Sequence, residues 1–314
     1  VPPRELLSIG ELAERAGVTV KAVRFYSEQG LLPEAERSGG GHRRYAPEAL
    51  ERLRTIRALR GLEVPLPQVS QVMAEHEDGA DSGLLGDLVA RRLEALGAEM
   101  RALRWREAAL RLVHEADEGQ RTELVRMVGV LGSPPSTDAL ARYWRRLLPG
   151  RLAARLRTAV VDAAVPTLPE EPTAAHVLAF ARLHALTVQA DDACLAEHRP
   201  APPRPDLLYD GLREAYELSV PALRAGREPG TASDEAVDCF VAAHARSADR
   251  RDTPVFRREL GRALAGGEHP AMRCYWRWAG ELSPEPTIGA AHSWLSSALA
   301  ARLGAGEDGV PVAG

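Results

Sequence analysis

Cysteine is nearly missing from this 314-residue chain: there are three, Cys194, Cys239 and Cys274, and no two form a CxxC pair. That rules out a disulfide framework or a thiolate zinc ribbon and predicts thiols that stay reduced and buried. Lysine is scarcer still. Lys21 is the only one, and every other cation is arginine, as codon bias in a GC-rich genome produces. No apolar run reaches the roughly 18 residues that span a bilayer, and no signal peptide is present, so the expectation is a cytoplasmic protein with no membrane partner. Nucleophile elbow, phosphate loop and dinucleotide fingerprint are all lacking; neither an enzyme nor a cofactor is expected. Ala, Leu and Arg outweigh β-branched and aromatic residues. This favours a mainly α fold with one small hairpin.

The net charge of −4 does not mark the whole chain as a nucleic-acid binder. Its distribution does so locally: residues 21–60 hold nine Lys/Arg against five Asp/Glu, a patch able to attract phosphates on an otherwise acidic protein.

Residues 8–45 explain why the patch is there. Ile9, Leu12, Ala13 and Ala16 keep helical spacing, and Gly17 permits the left-handed backbone that ends a helix. Thr19 can cap a second helix through its hydroxyl. Two short helices joined by a tight Gly-containing turn make a helix-turn-helix, whose second helix fits the major groove. Residues 30–33 (GLLP) stop that helix. A strand-like stretch, the turn at 38–41 (SGGG) and the sequence His42-Arg43-Arg44-Tyr45 then suggest a wing tipped with cations.

The segments IGELA (9–13), VRFY (23–26), GLLP (30–33) and RRY (43–45) resemble the MerR family of transcriptional regulators. His42 stands where that family often has an aromatic residue. With the long helix described below, the resemblance covers roughly the first 117 residues; beyond it nothing is familiar. It implies a winged helix-turn-helix in which Thr19, Val20, Lys21 and Arg24 face the DNA groove and Tyr26 donates its hydroxyl to a phosphate. In the wing, Arg43 would be the main phosphate clamp, with His42, Arg44 and Tyr45 beside it. Val23 and Phe25 are expected in the domain core instead.

Pro47 opens a further helix to about Gly61, and a shorter one carries Val69, Val72 and Met73. Residues 76–83 form a polar hinge. From Leu84 to about Asp117 the pattern reads as a single helix, with Val89, Leu96, Leu103 and Leu110 seven residues apart and Leu93 and Met100 between them. That is a coiled-coil seam, roughly 50 Å long at about 1.5 Å per residue. It can serve as a dimerisation helix or pack within its own chain on the C-terminal region. The family resemblance implies the first: an antiparallel coiled coil in a homodimer that addresses a near-palindromic promoter in double-stranded DNA, where RNA polymerase is the further partner.

Domain boundaries are expected at 1–76 for DNA binding, 77–118 for hinge and dimer helix, 119–304 for an all-α effector domain and 305–314 for a disordered tail. Candidate helices lie near 120–131, 137–148, 150–164, 173–197, 206–225, 233–248, 254–265, 268–281 and 286–303. A proline-rich stretch at 199–205 either divides the effector region in two or is a stiff loop. Eleven of the fifteen aromatics lie beyond residue 117. Aromatic walls suit an organic ligand, and Tyr143, Trp144, Tyr275, Trp276, Trp278 and Trp294, with Asp191, are the candidate contacts for a small organic effector. Taken one at a time, each of these aromatics is more readily read as ordinary helix packing. His176, His184, Asp191, Asp192 and His198 lack the spacing of a metal site, so no metal is expected. Two other readings of the C-terminal helices remain: a surface through which a protein partner controls DNA binding, and an unfamiliar or degenerate enzyme fold acting on the ligand.

Overall fold

Ser8 starts the first helix by closing a capping box: its hydroxyl accepts from the Glu11 amide at 3.3 Å, and the Glu11 carboxylate accepts from the Ser8 amide at 2.7 Å. The Ser8 amide, with the Ser8 hydroxyl beside it, holds the Glu11 carboxyl below the usual carboxylate range. Helix α1 (Ile9–Ala16) ends at Gly17, whose φ of 65° is the left-handed cap. Helix α2 (Val20–Glu28) is capped by the Thr19 hydroxyl. The computed structural model describes residues 6–78, 83–190, 202–266 and 269–307.

Two compact units divide the chain, residues 1–98 and 99–314. In the first, β1 (Leu7–Ser8), β2 (Glu36–Arg37) and β3 (Arg43–Tyr45) make an antiparallel sheet in the order β1-β3-β2, with Leu7 opposite Tyr45 and Arg37 opposite Arg43. The hairpin is thus two strands of three; the segment before α1 supplies the other. Its turn includes Gly41 at φ 79°, a conformation that disfavours side chains. Leu12, Val23, Leu32, Tyr45 and Leu53 are fully or almost fully buried beneath the sheet and the helix pair. Helices α3 (Glu48–Gly61) and α4 (Leu66–Asp78) build a second cluster from Ile56, Leu59, Val69 and Met73, which Leu88 of α5 (Leu84–Glu115) joins. The polar stretch expected to be a hinge from residue 76 is helical through Asp78; residues 79–82 lie outside the described residues.

The second unit is all helical among its described residues: the rest of α5, then α6 (Glu118–Gly129), α7 (Asp138–Leu147), α8 (Ala154–Ala164), α9 (Ala174–Gln189), α10 (Pro205–Arg224), α11 (Asp234–Ser247), α12 (Pro254–Ala265), α13 (Pro270–Leu282) and α14 (Ile288–Glu307), with a 3-10 turn at Pro229–Thr231. Prolines and capping hydroxyls set these bounds. Pro205, Pro254 and Pro270 sit in first turns, and Thr173, Ser233 and Thr253 cap α9, α11 and α12.

Two cores fill this unit. One gathers Trp105, Leu140, Tyr143, Phe180, Leu183 and Tyr275 from α5, α7, α9 and α13. The other gathers Ala215, Phe240, Val241, Leu295 and Leu299 from α10, α11 and α14. Because α13 returns to the first core, the two do not follow a single cut in the chain. Gly211 allows α10 and α11 to close on each other: a Cβ there would lie 2.7 Å from that of Ala243. No helix of the described residues is long and apolar enough to cross a membrane.

Candidate functional site

Lys21 and Arg24 stand one turn apart on the exposed face of α2, three residues being the spacing of same-face neighbours. Neither makes a salt bridge among the described residues. Thr19 and Val20 are exposed at the N-terminal end of that face. The opposite face buries Val23 completely, as its apolar spacing required. Phe25 departs from the sequence expectation. It is 46% exposed and packs edge-on against Tyr26, with ring centroids 5.5 Å apart. Residues 23, 25 and 26 cannot all face one core on a helix, and Val23 and Tyr26 take the inward positions.

The wing cations are held differently. Arg43 is paired with two carboxylates: its Nε reaches Glu34 Oε1 at 2.5 Å and its Nη2 reaches Glu28 Oε1 at 3.6 Å. Arg44 is half-buried and His42 is exposed at the turn, where its amide donates to the Ser38 hydroxyl. Tyr45 is fully buried, with its hydroxyl 2.8 Å from that of Ser27. It is therefore a core strut that ties the wing to α2 and cannot itself touch DNA. Three of the four arginines of α3 serve the fold, Arg52, Arg57 and Arg60 donating to the carbonyls of Leu31, Ala16 and Val64, while Arg54 pairs with Glu51 on its own helix.

Along α5 the heptad residues Val89, Leu93, Leu96, Met100, Leu103 and Leu110 are all exposed, Leu103 at 59% and Leu110 at 66%. Trp105 and Ala108 on another face of the same helix are buried in the first C-terminal core, with Trp105 edge-on to Phe180 at 6.0 Å. The helix therefore packs within its own chain on one side and leaves the seam uncovered on the other.

Of the aromatic candidates, Trp144 and Trp276 line a cavity of about 650 Å3 between the two C-terminal cores. Their ring centroids are 5.2 Å apart. Tyr143 and Tyr275 are stacked core residues behind them, and the Tyr275 hydroxyl donates to the Ala164 carbonyl. Trp294 belongs to the second core, its indole N–H donating to the Arg227 carbonyl, and Trp278 lies under the Arg277 guanidinium. Asp191 lies outside the described residues, as do Asp192, Cys194 and His198. His176 closes the capping box of α9, and burial lowers the pKa of His184 beside Phe180. Cys239 and Cys274 are free and only partly buried.

The cavity also takes residues that the sequence alone did not assign to a site: Tyr209 and Tyr216 from α10, His244 from α11 and His292 from α14. Tyr209 and Tyr216, seven residues apart, share a helix face, which was the one local signal. The two histidines come from helices far apart in sequence and carry no shared motif. His292 Nδ1 is 2.9 Å from the Tyr216 hydroxyl, and burial lowers both histidine pKa values to about 4.

A family profile described as MerR HTH family regulatory protein matches residues 7–76. The nodulation protein NolA of Bradyrhizobium sp. (strain NC92) is 35% identical over 149 residues, which are 47% of this chain and 57% of that one. Across three NolA proteins the chain spans between 39% and 65% of the relative's length. The HTH-type transcriptional regulator HmrR of Rhizobium leguminosarum bv. viciae is 31% identical over 119 residues, 37% of this chain and 92% of that protein. Among solved structures, the transcription regulator PbrR691 from Ralstonia metallidurans CH34 in complex with lead(II) is 33% identical, covering 36% of this chain and 88% of that one at a TM-score of 0.32.

Proposed function

The chain belongs to the MerR family of HTH regulatory proteins, and we propose that it binds a near-palindromic promoter site as a homodimer and switches transcription in response to a small organic ligand held by its C-terminal helices. The observation that carries this reading is the pairing of two uncovered surfaces. One is the cationic face of α2 beside the wing, where neither Lys21 nor Arg24 makes a salt bridge among the described residues. The other is the exposed seam of α5 from Val89 to Leu110. A helix with a heptad seam in water is stabilised by a second helix, and a second copy doubles the DNA-reading helix with two-fold symmetry, which suits a palindrome.

In this reading Arg24 contacts a guanine edge with Thr19, Val20 and Lys21 facing the groove beside it, Tyr26 contacts a phosphate, and Arg43, Arg44 and His42 clamp phosphates on the flank. Dimer and ligand together distort the promoter, so that DNA deformability is the switch and RNA polymerase reads the result. The DNA-binding part lies within residues 1–76 and the effector region within 119–304, with Trp105 and Ala108 tying the second half of α5 to the effector core.

Footprinting of the purified chain on DNA upstream of its own coding sequence, with and without metabolite extract, tests the proposal. Two symmetric half-sites protected by one dimer, with a pattern that changes on adding extract, is the expected result. Protection of a single half-site by a monomer would overturn it.

A further inference from the structure

The cavity between the two C-terminal cores has a consistent chemistry. At about 650 Å3 it falls within the several-hundred-Å3 range of sites that enclose organic molecules. Trp144 and Trp276 supply flat faces on one side, and Leu212, Leu264 and Ile288 supply aliphatic walls. Its two ionised residues, Arg213 and Glu217, are one turn apart on α10, exposed, and paired with each other at 3.0 Å. They leave no uncompensated charge facing inward.

The interior polar groups are neutral. His292 and the Tyr216 hydroxyl satisfy one another. His244 is neutral near pH 7 because burial disfavours its cation, and its Nε2 is buried without a hydrogen-bond partner. Tyr209 differs from Tyr216. Burial raises its pKa to about 12, so it stays a protonated donor, and its hydroxyl makes no hydrogen bond among the described residues. A half-buried phenol on an apolar wall, with no acceptor for its O–H among the described residues, is placed to donate to an acceptor that arrives with a ligand.

We propose that this cavity is the effector site and that it takes a neutral, flat, largely apolar organic molecule whose carbonyl or ether oxygen accepts from the Tyr209 hydroxyl. Organic anions and cations are excluded because neither finds a counter-charge inside, and an unpaired buried charge is costly. The effector role rests on the ligand-responsive regulator proposed above; the binding chemistry stands on the cavity alone.

Titration of the full chain with 6-propionyl-2-(dimethylamino)naphthalene, a flat neutral ketone whose emission reports polarity, tests it. The anionic 8-anilinonaphthalene-1-sulfonate serves as the charged counterpart. The expected result is saturable blue-shifted binding at one site per chain, with the sulfonate at least about tenfold weaker. Ala163 is exposed at the cavity edge, so Ala163→Trp fills the space without entering a core and should abolish binding. Tyr209→Phe should weaken the ketone about fivefold while leaving 2-(dimethylamino)naphthalene, which lacks the carbonyl, unchanged. That comparison holds even if Ala163→Trp unfolds. Equal binding of the sulfonate, ketone binding that survives in folded Ala163→Trp, or no ketone-specific loss in Tyr209→Phe would overturn the proposal.

Promoter binding by the same preparation separates the two readings. Probe binding without promoter binding sinks the regulator and leaves the site. Promoter binding without probe binding sinks the site and leaves the regulator. Probe binding that never alters promoter affinity removes the effector role.

Discussion

Arg43 and Glu34 are joined at 2.5 Å in the free protein, and Glu28 stands 3.6 Å from the other side of the same guanidinium. The wing cation is therefore already held by carboxylates, and in the proposed complex a DNA phosphate would have to compete with them for it. Glu34 also accepts from Arg37 at 3.1 Å, so one acidic residue restrains two cations. Glu34→Gln should raise affinity for cognate and random DNA alike, by severalfold at low salt. Arg43→Ala should lower both about equally and reduce the salt slope by about one. Gel shifts across a salt series decide this; a loss confined to the cognate site would show that Arg43 reads sequence.

Arg24 stands on the exposed face of α2 and makes no salt bridge among the described residues. Its guanidinium has the planar fork suited to a guanine edge. Arg24→Ala should cost about 1–3 kcal/mol on the cognate site and relax preference at one base position. Selection from a randomised operator library measures this directly, and an unchanged sequence profile would remove the base-reading role.

The parts of this molecule that were legible in its sequence are those where one local pattern has one structural solution. Gly17 specifies the end of α1 and Thr19 the start of α2. Strand β1 was not legible, because two residues carry no period and it forms only by pairing with β3. Tyr45 and Phe25 exchanged places relative to expectation for a similar reason. A wing aromatic and a helix aromatic look alike in sequence, and only the register Leu7 opposite Tyr45 decides which faces the core. The cavity was legible as an excess of aromatics but not as a location. Trp144, Tyr209, His244, Trp276 and His292 come from five helices whose packing no local spacing encodes.

The exposed seam on α5 gives the next expectation. Leu96 and Leu103 are 44% and 59% exposed, so replacing them should not damage the fold of the chain that carries them. Leu96→Glu with Leu103→Glu places charges inside the proposed helix pair, where burial without a partner is costly. Sedimentation should show monomer in place of dimer with an unchanged circular-dichroism spectrum, and promoter affinity should fall with it. A double variant that remains dimeric would place the subunit contact elsewhere.

His244 and His292 make acid a probe of the second unit. Their rings are 6.4 Å apart, and burial holds both folded-state pKa values at about 4 against an ordinary value of 6.5. Above pH 6.5 both are neutral whether folded or unfolded, and their contribution to stability is fully present. As pH falls from 6.5 towards 4 the unfolded chain takes up protons that the folded chain refuses, so stability declines through that window. Below about 4 the folded histidines also protonate and these groups add no further loss. Each pKa unit corresponds to about 1.4 kcal/mol, so the melting temperature should fall by several degrees between pH 7 and pH 5. His244→Gln should flatten that slope, because it removes one of the two groups. A melting temperature independent of pH over this range would mean that the histidines are not buried neutral, and the uncharged interior of the cavity would go with them.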